Sequence, residues 1–182
     1  MQIADAQRDV RTVFVGGFAG QLVCGVLWAA SAATLTWGSF RAGVAVLVFG
    51  GCFIFPLTQL LLRLMGGPHS LPKGHPMNGL AMQAAFSLPL AIPVALAAAL
   101  HCHGWFYPAM MILLGAHYIP FVFLYGMRLF AFLVAILIGG GVCIAMYGAN
   151  TFSTGAWGTG IVLVVFAFLG ARCAGREQPP ES

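Results

Sequence analysis

Apolar residues run in long unbroken stretches along this chain, with none of the alternation that marks a half-buried strand. Six such runs cover about residues 12–35, 43–66, 79–100, 106–127, 129–149 and 153–172. Each is close to the ~20 residues that a helix needs to cross about 30 Å of hydrocarbon at ~1.5 Å per residue. Inside a bilayer every backbone N–H and C=O must find its partner within the protein, so each run is read as a helix. The pattern predicts an all-α integral membrane bundle of six transmembrane helices. It forms one domain over residues 1–175, followed by a flexible tail at 176–182, REQPPES. Gly139-Gly140-Gly141 interrupts the fifth run and Asn150 closes it. The connection GGPHSLPKGHPMNG, Gly66 to Gly79, holds three prolines and four glycines and reads as a loop. Ala30-Ser31-Ala32 imitates a signal-peptide cleavage site. The apolar stretch before it is longer than a ~7–15-residue signal core, and Asp5 and Asp9 accompany Arg8 and Arg11 ahead of it, so the first run is read as a retained helix.

Composition supports the same class. The chain of 182 residues is 60% hydrophobic and 7% charged, against about 25% charged in a soluble domain. The formal net charge of +4 does not indicate nucleic acid, because the basic residues are scattered singly. Threaded through six crossings, Arg8, Arg11, Arg63, Lys73, Arg128, Arg172 and Arg176 fall on one side and Arg41 on the other. By the positive-inside rule both termini are cytoplasmic, and the expected location is the bacterial cytoplasmic (inner) membrane. Trp37, Trp105 and Trp157 then reach the outer interface, where indole rings are favoured. The acidic residues, Asp5, Asp9, Glu177 and Glu181, are confined to the two ends. Cys24, Cys52, Cys102, Cys143 and Cys173 are far apart with no CxxC, so they read as small inert hydrophobes and no disulfide is expected.

Candidate chemistry is sparse. His69 and His75 fall in the inner loop, and His101-Cys102-His103 in an outer one. A membrane thickness separates the two sets, and a structural zinc site normally has four ligands, so no metal and no cofactor is expected. His117 differs, because it lies near the midplane, where an ionisable side chain is costly and marks a site by default. Pro120 follows; it removes the helical partner of the Ala116 carbonyl and should kink the helix. Pro56, Pro89 and Pro93 are the other expected kinks. Gln21, Gln59, Gln83, Tyr118 and Tyr125 share the cytoplasmic half with His117. As a set they suggest an inward-facing polar pocket; singly, each glutamine is more simply an interhelical bridge. Gly16, Gly20 and Cys24, and Gly25, Ala29 and Ala33, form small-residue stripes suited to close helix packing. No Ser-His-Asp set, carboxylate pair, HExxH, Walker motif or GxGxxG is present, so no catalytic residue is assigned.

The segments FPLTQLLLRLMG, HPMNGL and LLGAHYIPFVFLYG, between Phe55 and Tyr125, carry a resemblance. In this order they resemble a family of small bacterial multi-pass integral membrane proteins of unknown function, with a GAHxxPxxxLY-type segment. The loop reads His75-Pro76-Met77-Asn78 where that family has an Asn-Pro type, a departure from its pattern. The resemblance implies a multi-helix membrane fold and singles out His117, Pro120 and Tyr125; it implies no activity.

Three functional readings follow. The leading one is binding or transport of a small, weakly polar molecule in a cytoplasmic-side pocket formed by His117, Tyr118, Tyr125, Gln21, Gln59 and Gln83. The alternative is a sensor or structural subunit acting through helix contacts. An intramembrane enzyme using His117 with Tyr118 or Tyr125 ranks below both. The expected partners are the lipid bilayer, a small-molecule or lipid ligand, and a second copy of the chain in a homo-oligomer; nucleic acid is not among them.

Overall fold

The computed structural model describes residues 2–68, 70–148 and 152–175, with only the backbone of Phe152. His69, Asn150 and the tail with Arg176, Glu177 and Glu181 lie outside the described residues. These form eight α-helices and no strand: α1 Ile3–Val13, α2 Phe18–Trp37, α3 Phe40–Gly51, α4 Ile54–Leu64, α5 Asn78–His101, α6 Phe106–Tyr125, α7 Arg128–Tyr147 and α8 Phe152–Gly175. Helices α2, α5, α6, α7 and α8 are each long and apolar enough to cross a membrane. α3 and α4 pass that test together but are bent by 58° at their junction, which gives five crossings, or six with the bent pair as one span. The all-α membrane bundle expected from hydropathy is therefore the fold.

Two of the predicted runs differ in form. The first, 12–35, is not one helix. Val15, Gly16 and Gly17 adopt positive φ values of 49°, 63° and 86°, which breaks the chain between α1 and α2. Gly16 is pressed against the backbone of Gly170 on α8, where a Cβ would meet the Gly170 carbonyl. Gly16 and Gly20 thus serve different neighbours, since a Cβ on Gly20 would point at Thr58 of α4. The second run, 43–66, breaks at Cys52 and Phe53, four and three residues before Pro56. Proline cannot donate to the carbonyl four residues back and its ring crowds it, a conflict that Pro56 avoids by standing in the first turn of a new helix. α5 runs through Pro89 and Pro93, and α6 through Pro120, as continuous helices.

Lipid gives helices no hydrophobic reason to associate, so close packing and interhelical hydrogen bonds must supply it. Glycine provides the packing. On the α2–α8 contact a Cβ at Gly25 would lie 2.8 Å from Val164, and one at Gly160 would lie 3.1 Å from the Ala29 nitrogen. On the α6–α7 contact a Cβ at Gly115 would lie 2.7 Å from Ile138, and one at Gly141 would lie 2.9 Å from the Pro108 carbonyl. The glycine triplet is therefore helical, and Gly141 is where α6 comes close. α2 packs on α8, α3 and α4; α6 packs on α7 and α5; α8 joins the two groups through α6 and α7.

α1 was not among the expected helices. Its stripe of Ala6, Val10 and Val13 is buried under the bundle, while Asp5, Arg8 and Asp9 face outward. It closes the exposed end of α6: Gln7 Nε2 donates to the Phe123 carbonyl and Arg11 Nη1 to the Tyr125 carbonyl, both at 2.6 Å. Both carbonyls belong to the last turn of α6, where a helix end is short of internal donors and carries partial negative charge. The Gly66–Gly79 loop docks on the same end, with His75 buried at 8% exposure and its Nε2 3.3 Å from Asp9 Oδ2. The Met77 N–H donates to His75 Nδ1, which leaves the ring hydrogen on Nε2, facing the carboxylate.

The charge asymmetry is thus a property of the fold. Arg8, Arg11, Lys73 and Arg128 gather at the end that also receives Arg63 and Arg172. Arg41 stands at the other end with Trp37, Trp105 and Trp157, where the rings of Trp37 and Trp157 meet at 6.1 Å. The positive-inside rule predicts that the basic end faces the cytoplasm. A membrane-impermeant maleimide applied to intact cells then labels a single-cysteine variant retaining Cys102. One retaining only Cys173 is labelled after lysis alone; the opposite pattern contradicts this orientation.

Candidate functional site

The centre of the bundle is a seam between α2 and α6. Gln21, Cys24, Trp28 and Ser31 recur at helical spacing and all face inward on α2, in line with Gly17 just before it. Tyr107, Tyr118 and Tyr125 line the facing side of α6, and all three are buried. At the outer end the seam is fully bonded. Ser31 Oγ donates to the Gly43 carbonyl at 2.8 Å, so it accepts from the Tyr107 hydroxyl, also at 2.8 Å. This ties α2, α3 and α6 together. It requires glycine at position 43, where a Cβ would lie 2.7 Å from that hydroxyl.

At the basic end the seam is aromatic. A Cβ on Gly17 would lie 3.1 Å from Phe130 and 3.7 Å from Tyr125. The Phe130 ring lies 4.8 Å from that of Tyr125, 5.7 Å from Phe121 and 6.1 Å from Tyr118. Between these two well-packed ends sits Gln21, only 2% exposed. Its Oε1 and Nε2 are both buried, and neither has a hydrogen-bond partner among the described residues. Thr58 Oγ1 on α4 is in the same condition, 3.9 Å from where a Cβ on Gly20 would be. An unpaired buried polar group costs roughly 1–3 kcal/mol by mutational measures, and the large majority of buried side-chain polar atoms are paired. Gln21 lies ~9 Å inside the span that begins at Val15, and Thr58 ~9 Å from the Leu64 end of α4, so the two are level.

His117 faces elsewhere. Ser87 Oγ on α5 donates to the Ala84 carbonyl at 2.8 Å, which leaves it to accept from His117 Nδ1 at 3.0 Å. His117 is thus a half-buried ring that fastens α6 to α5. Its ring is 5.4 Å from Tyr118 and 5.1 Å from Phe121, so it backs the aromatic cluster without entering the seam.

Of the expected pocket residues, Gln21, Tyr118 and Tyr125 come together on the seam, and His117 adjoins it from the α5 side. Gln59 is half-buried on α4 and Gln83 is exposed on α5, so neither joins that group. Pro56, Pro89 and Pro93 are all exposed, and Pro120 is half-buried. His101 and His103 instead meet aromatic rings, Trp105 at 5.8 Å and Phe40 at 5.3 Å. All five cysteines are free thiols. Among the described residues no three His, Cys, Asp or Glu side chains gather to hold a metal ion.

Thr58, Ser87 and the Ser31–Tyr107 bond were not anticipated. Small hydroxyls in apolar runs are common, and only the angular placement of neighbouring helices distinguishes these three. The His117–Ser87 bond makes a measurable prediction. In a double-mutant cycle with Ser87→Ala and His117→Ala, unfolding free energies should couple by about 0.6 kcal/mol, up to ~1.7 kcal/mol. Strict additivity would show that the bond does not hold α5 to α6.

No curated protein and no solved structure matches the chain. A family model does, and its match runs from α1 into the last turns of α8. The chain belongs to the family described as "Family of unknown function (DUF7010)", over residues 3–172.

Proposed function

We propose that this protein, in the bacterial cytoplasmic membrane, binds a small, weakly polar molecule inside the bundle, in the half nearest the basic face. The observation that carries this reading is the Gln21 amide, buried with both polar atoms unpaired between two well-packed ends of one seam. Two donors and two acceptor sites at that depth suit a ligand with a carbonyl, hydroxyl or amide. Thr58 adds a hydroxyl at the same level, and Tyr118 and Tyr125 supply an aromatic floor.

The ligand is neutral on this reading. No Asp, Glu, Lys or Arg lies within the described spans except near their ends, and a buried ion without a counter-charge is strongly disfavoured. Two further observations favour a ligand over a scaffold role. Gly25 and Ala29 are occupied against Gly160 of the same chain, so that stripe offers no face to a partner. The second span is also broken, and Thr58 sits just past the 58° bend. Interrupted helices beside a midplane site are a feature of transporters, and transport is the use of the site that this break supports.

Gln21→Leu tests the reading. Leucine fills a similar volume and removes the unpaired amide, so the variant should melt at the same or a higher temperature than wild type. In native mass spectrometry of protein released gently from membranes, wild type should carry a small-molecule adduct that Gln21→Leu lacks. Retention of the adduct by the variant contradicts the proposal, as does a wild type that carries none.

A further inference from the structure

A second feature lies at the opposite end of the molecule and is independent of Gln21. There α3 and the last turns of α5 stand apart, leaving a groove of about 550 Å³. Its walls are Val44, Ala45, Val48, Leu96 and Leu100, and Ala99 is buried at its base. Phe49 and Leu100, 71% and 89% exposed, leave its side open to the bilayer. Along α3 the groove runs from Phe40 to Phe49, ~13.5 Å at ~1.5 Å per residue. That is nearly the ~15 Å depth of one leaflet's hydrocarbon.

The outer rim carries Arg41, with His103 beside it. Arg41 is costly where it stands, for two reasons. It occupies the first turn of α3, where the helix dipole repels a cation. It is also on the side of the membrane that basic residues avoid. No carboxylate of the described chain offsets this: Asp5 and Asp9 are the only ones, and both are on α1 at the other end. A guanidinium held at that cost, at the head of an apolar groove one leaflet deep, matches an anion that carries a hydrocarbon chain. Arginine's planar fork suits a phosphate in particular.

We infer that the groove between α3 and α5 binds one acyl chain of an anionic phospholipid from the outer leaflet, with the lipid phosphate on Arg41. The test exchanges the full-length protein into micelles with equal phosphatidylglycerol and phosphatidylcholine of matched chains, then counts retained lipids by native mass spectrometry. Wild type retains phosphatidylglycerol in about fivefold preference, the effect expected of one basic residue at a membrane surface. Arg41→Gln abolishes the preference and Arg41→Lys largely keeps it. Ala99→Phe, which fills the base of the groove, lowers retention of both lipids; Val48→Phe does the same should Ala99→Phe fail to fold. Free glycerol phosphate, which has no acyl chain, does not displace the bound lipid. An undiminished preference in Arg41→Gln, unchanged retention in the filled variants, or displacement by glycerol phosphate overturns the proposal. None of these outcomes bears on the Gln21 site.

Discussion

Hydrocarbon offers no hydrogen-bond partner, and most of this structure follows from that one constraint. It makes each span a helix. It also decides what becomes of each polar side chain placed in a span. Thr34, Thr36 and Thr159 return their hydroxyl hydrogens to the carbonyls of Ala30, Ala32 and Gly155, four residues back on the same helix. Ser31, Tyr107 and the Gly43 carbonyl satisfy one another across three helices, and His117, Ser87 and the Ala84 carbonyl across two. Gln7 and Arg11 of α1 take up the last carbonyls of α6, where Gly126 ends the helix in a left-handed conformation. Against that background Gln21 and Thr58 stand out, because the protein partners every one of these other groups and leaves these two unbonded.

The same solvent removes the usual reason for helices to associate, so backbone proximity has to be built in. Gly25 and Gly160 let α2 and α8 touch, and Gly115 and Gly141 do so for α6 and α7. Between these two tight pairs the separation of α2 from α6 is set by tyrosine rings. A seam spanned by large side chains can be fully bonded at one end, as at Tyr107, and hold an unpaired amide nearer the other. Small residues and polar residues therefore have separate tasks: the first bring helices together, and the second define what lies between them.

Much of the fold was legible in the amino-acid order, because hydropathy reports directly on what must sit in lipid. The ends of α5, α6 and α7 fall within about two residues of the runs that predict them, and α8 within about three. α1 was obscured because its apolar stripe is short and mixed with Asp5, Arg8 and Asp9, so no run of hydropathy marks it. The break at Gly16-Gly17 and the bend before Pro56 had visible causes, but membrane helices often tolerate glycine and proline, so neither residue alone announces a break. For the candidate site, the order of residues speaks to depth along a run and not to direction around a helix. Gln21, Gln59, Gln83 and His117 were expected at similar depth from their places along the runs. Which of them turns toward α6, α5 or the lipid depends on how the helices are rotated and paired, and a run of apolar residues carries no record of that. Hence Gln21 could be named from its position, whereas Thr58 and Ser87 could not.

In the proposed site the Gln21 amide is completed by something other than this chain. A high-resolution map of the full-length protein in a lipid nanodisc tests it most directly. The expected result is non-protein density within about 3 Å of Gln21 Oε1 or Nε2, on the seam between α2 and α6 and above the Tyr118–Tyr125–Phe130 cluster. A map in which both amide atoms are hydrogen-bonded to groups of the protein itself, with no such density beside them, would contradict it.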